Sequence, residues 1–344
     1  MAGEYELSPG NGAKSRSKGL RFWLASQRRA LPGVEGVGAL VGSLVLNRFL
    51  IERRIGSGGF GVVYEAWDGR LERPVAVKAI ESGGANLSKR VLREAQAAAR
   101  LNHPGIVTFY EMGEEDGNAL LVTELVDGST LARLALKGEL SDREIGEIGV
   151  DLCEALDHAH SRGVVHRDIK PQNVQVTKGE PRAKLMDFGI ARLADGVSLT
   201  VPGDVVGTLA YMSPEQAEGR PAGPEADVYS LALTLYECWS GENPHRHSTP
   251  AATARSIGTR TRPLRRLRHD LPRELTEAID ACLNPRASSR PPLEELGTAI
   301  ESSLDGLAED PRHAPGAVGM RLGVAAAAAL IGAWLAVGHG VALP

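Results

Sequence analysis

Two short polar strings hold the residues best suited to chemistry: His166-Arg167-Asp168-Ile169-Lys170-Pro171-Gln172-Asn173 and Asp187-Phe188-Gly189. Aspartate carboxylates and asparagine amide oxygens are hard donors. They suit magnesium, which keeps several waters and takes further ligands from phosphates. In such chemistry Asn173 and Asp187 hold the ion, and Asp168 orients an attacking hydroxyl or accepts its proton. Either string alone is a common accident, so its meaning depends on what surrounds it.

Upstream lies Gly56-Ser57-Gly58-Gly59-Phe60-Gly61-Val62-Val63. Glycines let a backbone approach phosphates because no side chain intervenes. The same G-x-G-x-x-G spacing opens a helix in dinucleotide-binding folds. Here the next residues, VVYEAWD, read as a strand, which favours a hairpin lid over ATP. Val75-Ala76-Val77-Lys78 follows. A lysine ending an apolar strand commonly snorkels to water. If buried, its charge needs an anion, which a phosphate or Glu94 in the next helical stretch would supply.

In this order and near-family spacing, the motifs resemble those of the eukaryotic-type (Hanks-type) serine/threonine protein kinases, of the bacterial membrane-anchored kind. The likeness runs from about Phe49 to Leu304 and includes Ser213-Pro214-Glu215, Asp227 in ADVYSLA and Arg290 in SSRPP. It implies an α+β bilobal protein-kinase fold, with a β-rich N lobe carrying one helix and a helical C lobe. It implies ATP with Mg2+ (or Mn2+), and transfer of the γ-phosphate to Ser/Thr hydroxyls of proteins, autophosphorylation included. The nucleotide contacts carried over are Ile55, Gly56, Gly58, Gly61, Val63, Ala76, Lys78, Thr123, Glu124, Val126 and Gln175. Asp168, Lys170, Lys78, Glu94 and Thr208 form the catalytic set, with Asn173 and Asp187 on the metal. Lys170 matches the lysine that contacts the transferred phosphate in Ser/Thr kinases. Thr208 matches the threonine that hydrogen-bonds the catalytic aspartate. Asp227 matches the brace of the catalytic loop, and Arg290 the partner of Glu215. Arg167 before Asp168 suggests phosphate ordering of the segment that follows, with Ser198 and Thr200 as phosphosites; the alternative is that both are ordinary polar loop residues.

Some positions depart from the family. Gln175 stands where an apolar residue usually lies under adenine, which predicts weaker ATP binding. Ala98 replaces a larger residue of the regulatory spine, and Thr123 is a small gatekeeper. Gln175 and Ala98 support one rival reading, a binding or scaffolding pseudokinase, although Lys78, Asp168, Asn173 and Asp187 are all present. A small-molecule kinase of the same fold is disfavoured by Thr208 and Ser213–Glu215.

The elements must position these residues. Alternation predicts strands at Asn47–Ile55, VVYEAWD, PVAVKAI, GIVTFYEM and ALLVTELV, with a helix over Ser88–Leu101. Asp142–Arg162 repeats apolar residues at Ile145, Ile148, Leu152, Leu156 and Ala159, close to the 3.6 period. Helical segments punctuated by Pro and Gly follow Pro214. Strands first and helices later suggest two lobes with a cleft. The expected divisions are an N-terminal extension (1–48) that is partly disordered, with little stable structure up to about residue 40, the catalytic domain (49–304), a juxtamembrane linker (305–320), a membrane helix (321–338) and a short tail (339–344).

The 344 residues are 42% apolar and 24% charged, near globular averages. A net charge of −4 gives no bulk case for nucleic-acid binding. Three scattered cysteines argue against a disulfide framework or zinc site. The N-terminus lacks a secretory pattern. Leu322 to Gly338 carries no charged residue, at the short edge of the roughly 17–25 residues that span a bilayer. A single-pass membrane protein with a cytoplasmic kinase domain is expected, tail-anchored because no sensor domain fits after Gly338; a soluble alanine-rich helix is the alternative. Arg255, Arg260, Arg262, Arg265, Arg266 and Arg268 form a basic run. It is either a solvated face or a surface for an acidic substrate or anionic leaflet. The resemblance also allows a homodimer.

Overall fold

The computed structural model describes residues 40–58, 61–81, 92, 95–188 and 208–311. They fall into two compact units. The first draws its described residues from Met1–Asp127, Ser161–Val164 and Asp187–Val205; the second draws them from Gly128–His160, Val165–Met186 and Val206–Pro344.

The first unit is built on an antiparallel six-stranded sheet in the order β1-β2-β3-β4-β6-β5. Its strands are β1 (Leu44–Val45), β2 (Phe49–Gly58), β3 (Gly61–Asp68), β4 (Arg73–Glu81), β5 (Phe109–Glu115) and β6 (Asn118–Glu124). Alternate residues of β3 are buried, as a half-covered strand requires. Phe49, Ile51, Tyr64, Val75, Val77, Leu120 and Val122 form the main core. Asp68, fully buried, is neutralised by a two-pronged pair with Arg48 at 2.9 and 2.7 Å.

Residues 40–48, the end of the N-terminal extension, join the sheet: β1 pairs with β2, Val45 is buried and Leu40 and Leu46 pack on the core. Their apolar side chains and the Leu46 N–H bond to Glu115 Oε2 (2.6 Å) hold this segment to the sheet. The strand expected from Gly105 begins only at Phe109. Before it the chain turns, with Gly105 N–H donating to His103 Nδ1 (3.1 Å) and Ile106 N–H to the His103 carbonyl (3.0 Å).

The second unit is mainly helical. α1 (Leu131–Lys137) leads into α2 (Asp142–Ser161), followed by α3 (Pro214–Ala217), α4 (Pro224–Ser240), α5 (Pro250–Ser256), α6 (Arg273–Cys282) and α7 (Leu293–Ser303). Ser141 and Glu144 cap α2 reciprocally, each side chain accepting the other's backbone N–H. All five apolar positions read from the sequence of α2 are buried. α4 is buried around most of its circumference, so it forms the centre of this unit. In a small sheet β7-β8-β9 (Ser129–Thr130, Val174–Val176, Ala183–Leu185) β8 takes over the chain from the Asp168 loop and β9 leads on to Asp187. No described helix is long and apolar enough to cross a membrane. The run Leu322–Gly338 lies outside the described residues.

Candidate active site

In the first unit the glycine-rich segment is a β-hairpin: Gly56 pairs with Val63 and Gly58 with Gly61. A strand follows it, so the dinucleotide-fold alternative does not apply. Gly61 has φ +128, and any Cβ there would collide with the Ala79 carbonyl oxygen. A side chain is therefore excluded at the base of the hairpin. Gly56 has no such restriction, its nearest hypothetical contact being Val63 at 3.9 Å. Ile55 at the same edge is 39% exposed, and Val63 is half-buried.

Lys78 does not snorkel. Its side chain is 15% exposed, and Nζ lies 2.9 Å from Asp187 Oδ2. It faces Val63 across β3 and Leu121 across β6. Asp187 stays 40% exposed on its side chain despite this pair. Its φ of +54 is uncommon outside glycine and turns the chain sharply there. Ala76 is paired with Thr123. Thr123 Oγ1 donates to the Glu124 carbonyl (3.4 Å), and Glu124 is tied to Thr108 through both backbone N–H (2.8 Å) and carboxylate (3.2 Å). Val126 is half-buried just beyond β6. Among the described helical residues Ala95 packs into a core with Ile80, Ala119 and Leu121, and Ala98 is half-buried. Glu94, Ser198 and Thr200 lie outside the described residues.

In the second unit the side chains gather around Asp168. Lys170 Nζ donates to Asp168 Oδ2 (2.8 Å) and lies 3.3 Å from Thr208 Oγ1. Asn173 Nδ2 donates to the Asp168 carbonyl (2.8 Å) and to its Oδ2 (3.0 Å). Thr208 thus reaches Asp168 through Lys170, whereas the family pattern implied a direct bond. The intervening ammonium is a stronger partner for the carboxylate than a hydroxyl. Because Asn173 spends its amine on Asp168, its Oδ1 is left as the acceptor outside that pair.

The backbone around Asp168 is strained and clamped. Arg167 has φ +64, a cost of roughly 1–3 kcal/mol that persists only where surroundings enforce it. The enforcing group is Asp227, fully buried at the start of α4. Its carboxylate accepts the N–H groups of His166 and Arg167, both at 2.7 Å, and lies 2.8 Å from His160 Nε2. His166 accepts the Asp168 N–H at Nδ1 (3.2 Å), which leaves Nε2 to donate to the Met186 carbonyl (2.8 Å). Met186 N–H donates to the Asn173 carbonyl (2.9 Å). The residues before Asp187 are therefore fixed by the loop that carries Asp168. The contribution of His160 has no signature in the sequence: nothing but the fold brings it to Asp227.

Gln175 sits mid-strand in β8, half-buried between buried Val174 and Val176. Gly128 lies against it, since a Cβ on Gly128 would collide with the Val176 carbonyl and meet Gln175 Nε2 at 3.5 Å. Glu215 and Arg290 form a two-pronged buried pair at 2.7 and 2.8 Å. Burial alone would raise the Glu215 pKa, but the Arg290 guanidinium holds it below the usual carboxylate range. Arg290 also donates to the Glu225 carbonyl (2.7 Å) and lies over the Tyr229 ring.

A family model described as protein kinase domain matches residues 49–299. The chain is 37% identical over 256 residues to a probable serine/threonine-protein kinase of Clostridium acetobutylicum, covering 73% of this chain and 39% of that protein. It is 44% identical over 218 residues to the serine/threonine-protein kinase PknB of Mycolicibacterium smegmatis, covering 60% and 35% respectively. With PknL of Mycobacterium tuberculosis it shares 34% identity over 283 residues, covering 79% and 68%. The chain thus spans well under half of the first two relatives.

Proposed function

Given that the chain belongs to the protein kinase family, we propose that it transfers the γ-phosphate of ATP to serine or threonine hydroxyls of proteins. The observation that carries this reading is the Asp168 cluster, in which one carboxylate oxygen receives both Lys170 Nζ and Asn173 Nδ2.

The donor set fits a magnesium–ATP complex. Asp187 offers a partly exposed carboxylate, Asn173 an amide oxygen not used on Asp168, and Gly61 a backbone that no side chain shields. Manganese accepts the same hard oxygens. When bound, the metal would neutralise phosphate charge, held by Asp187 and Asn173. The remaining chemistry falls to this chain. Lys78, held by Asp187, binds phosphate oxygens. The resemblance assigns Glu94 the role of that lysine's partner. The resemblance assigns Ile55, Val63, Ala76, Thr123, Glu124, Val126 and Gln175 to the nucleotide, and Gly56, Gly58 and Gly61 to its phosphates. Asp168 orients the acceptor hydroxyl and takes its proton. Lys170 meets the negative charge that builds on the transferred group, and Thr208 steadies Lys170.

A radiolabelled-phosphate assay on a generic protein substrate tests this. Asp168→Asn keeps the shape and removes the base, so incorporation should fall by roughly 10²–10⁴-fold. Equal incorporation by wild type and variant rejects the mechanism. Autophosphorylation at Ser198 or Thr200 belongs to the same reading; mass spectrometry after incubation with ATP should find one of them modified.

We also propose that Leu322–Gly338 crosses a membrane. Support comes from the uncharged run itself and from Arg312 and Arg321 before it, which agree with a positive-inside orientation. Recovery of the full chain in the soluble fraction without detergent overturns this proposal.

A further inference from the structure

The basic run of residues 255–270 splits in two in the folded protein. Arg268 is structural: its guanidinium meets Asp142 (2.6 Å), Asp270 (2.9 Å) and the Trp239 carbonyl (2.7 Å). Arg255, Arg260, Arg262, Arg265 and Arg266 are all exposed. Among the described residues none of these five has an ion-pair partner, although the chain as a whole is net acidic. A solvated face usually intersperses both signs. Here six arginines stand against one aspartate.

The loop that presents them is held at several points. The Tyr236 hydroxyl donates to the Arg262 carbonyl (2.9 Å), the buried Leu264 donates its N–H to Asp280 Oδ1 (2.9 Å), and Arg268 locks the far end. The arginine backbones are thus pre-positioned, which lowers the cost of ordering them on a partner.

Its location gives the partner. Gly258, inside the same run, packs against Pro214: a Cβ there would meet the proline ring at 3.5 Å. Pro214 opens α3 directly after the segment 208–213. That segment begins at Thr208, whose hydroxyl is 3.3 Å from Lys170 Nζ, itself bonded to Asp168. The arginine surface therefore adjoins the segment that starts at the Asp168 cluster, within the same unit.

We propose that this surface is a docking site for acidic stretches of the acceptor protein, selecting substrates with Asp or Glu clusters near the phosphorylated hydroxyl. It rests on the kinase reading and adds a substrate class to it. Contiguity with the 208–214 segment favours an acidic polypeptide over a lipid surface, because a membrane lying there would compete with the acceptor for the same face.

The test uses the full chain and two acceptor peptides that differ only in a run of three Glu or three Ala near their one Ser. Wild type should show a lower KM for the acidic peptide, by about tenfold if three exposed pairs form, and that advantage should shrink as salt rises. The triple variant Arg260→Glu/Arg262→Glu/Arg266→Glu should lose the preference while keeping kcat on the alanine peptide. That retained kcat shows the variant is folded. Equal KM for both peptides in wild type overturns the docking proposal and leaves the kinase reading standing. No phosphorylation of either peptide, with ATP hydrolysis and autophosphorylation also absent, overturns both. Sedimentation with phosphatidylglycerol vesicles that the triple variant loses, alongside an unchanged peptide preference, overturns the proposal in favour of the membrane.

Discussion

At the scale of single residues, the clearest deviation from expected kinase chemistry is Gln175. The strand β8 buries Val174 and Val176 on one face and leaves Gln175 on the other, beside Gly128. A half-buried amide binds an adenine ring less well than a methylene surface, because it gives up water without a fixed partner. Gln175→Leu should therefore tighten ATP binding, by roughly 3–10-fold for the apolar area gained. Titration calorimetry measures this directly, and an unchanged Kd would remove Gln175 from the adenine contacts. Lys78 teaches a related lesson. Its sequence context permitted either a snorkelling side chain or a buried charge. The structure decides for burial through the Asp187 carboxylate, a partner more than a hundred residues away that strand periodicity cannot reveal. Asp168, Lys170 and Asn173 were readable because their contacts are local, within a few residues of one another.

At the scale of elements, α4 and the segment around α3 hold the Asp168 loop in place. The Glu215–Arg290 pair is buried on both sides, with side-chain exposures of 4% and 0%. Removing one partner leaves an uncompensated charge, so Arg290→Ala should lower stability by about 3–5 kcal/mol, read from denaturant unfolding. Glu215→Ala combined with Arg290→Ala should cost less than the sum of the two single changes, since neither charge is then stranded. Asp227 does comparable work on the other side by holding Arg167 in its positive-φ turn. The strands and α2 were legible because alternation and the 3.6-residue period leave direct traces in the apolar pattern. The start of β5 was not, because Gly105–Thr108 has strand-like composition while a local turn at His103 sets its backbone. The docking of residues 40–48 left no trace in the sequence for a different reason: a two-residue strand is too short to show a period, and its attachment depends on Glu115 far along the chain.

At the scale of the whole molecule, a buried histidine and a half-buried aspartate make opposing contributions to stability as pH changes. His245 is buried and bonds Tyr229 through Nε2 (2.8 Å). Burial disfavours the imidazolium and lowers the pKa from 6.5 to about 4. Between these values the unfolded chain binds more protons, so this group's contribution rises with pH and is complete above 6.5. It amounts to at most about 3 kcal/mol. Asp151 behaves in the opposite way. Burial raises its carboxyl from 3.8 to about 6, against the Ala183 N–H that favours the charged form. Here the folded chain binds more protons, and stability falls as pH rises through that window. Glu215 and Asp68, both held low, contribute stability that is lost only as pH drops below their ordinary values of 4.5 and 3.8. Across pH 4–6 the His245 and Asp151 contributions therefore offset each other. His245→Gln keeps a hydrogen-bonding group for Tyr229 but does not titrate, so it should expose a thermal midpoint that falls as pH rises from 4 to 6. Asp151→Asn should expose a midpoint that rises over the same range and levels off above 6.5. Parallel profiles for wild type and both variants would show that neither group is linked to folding in this window.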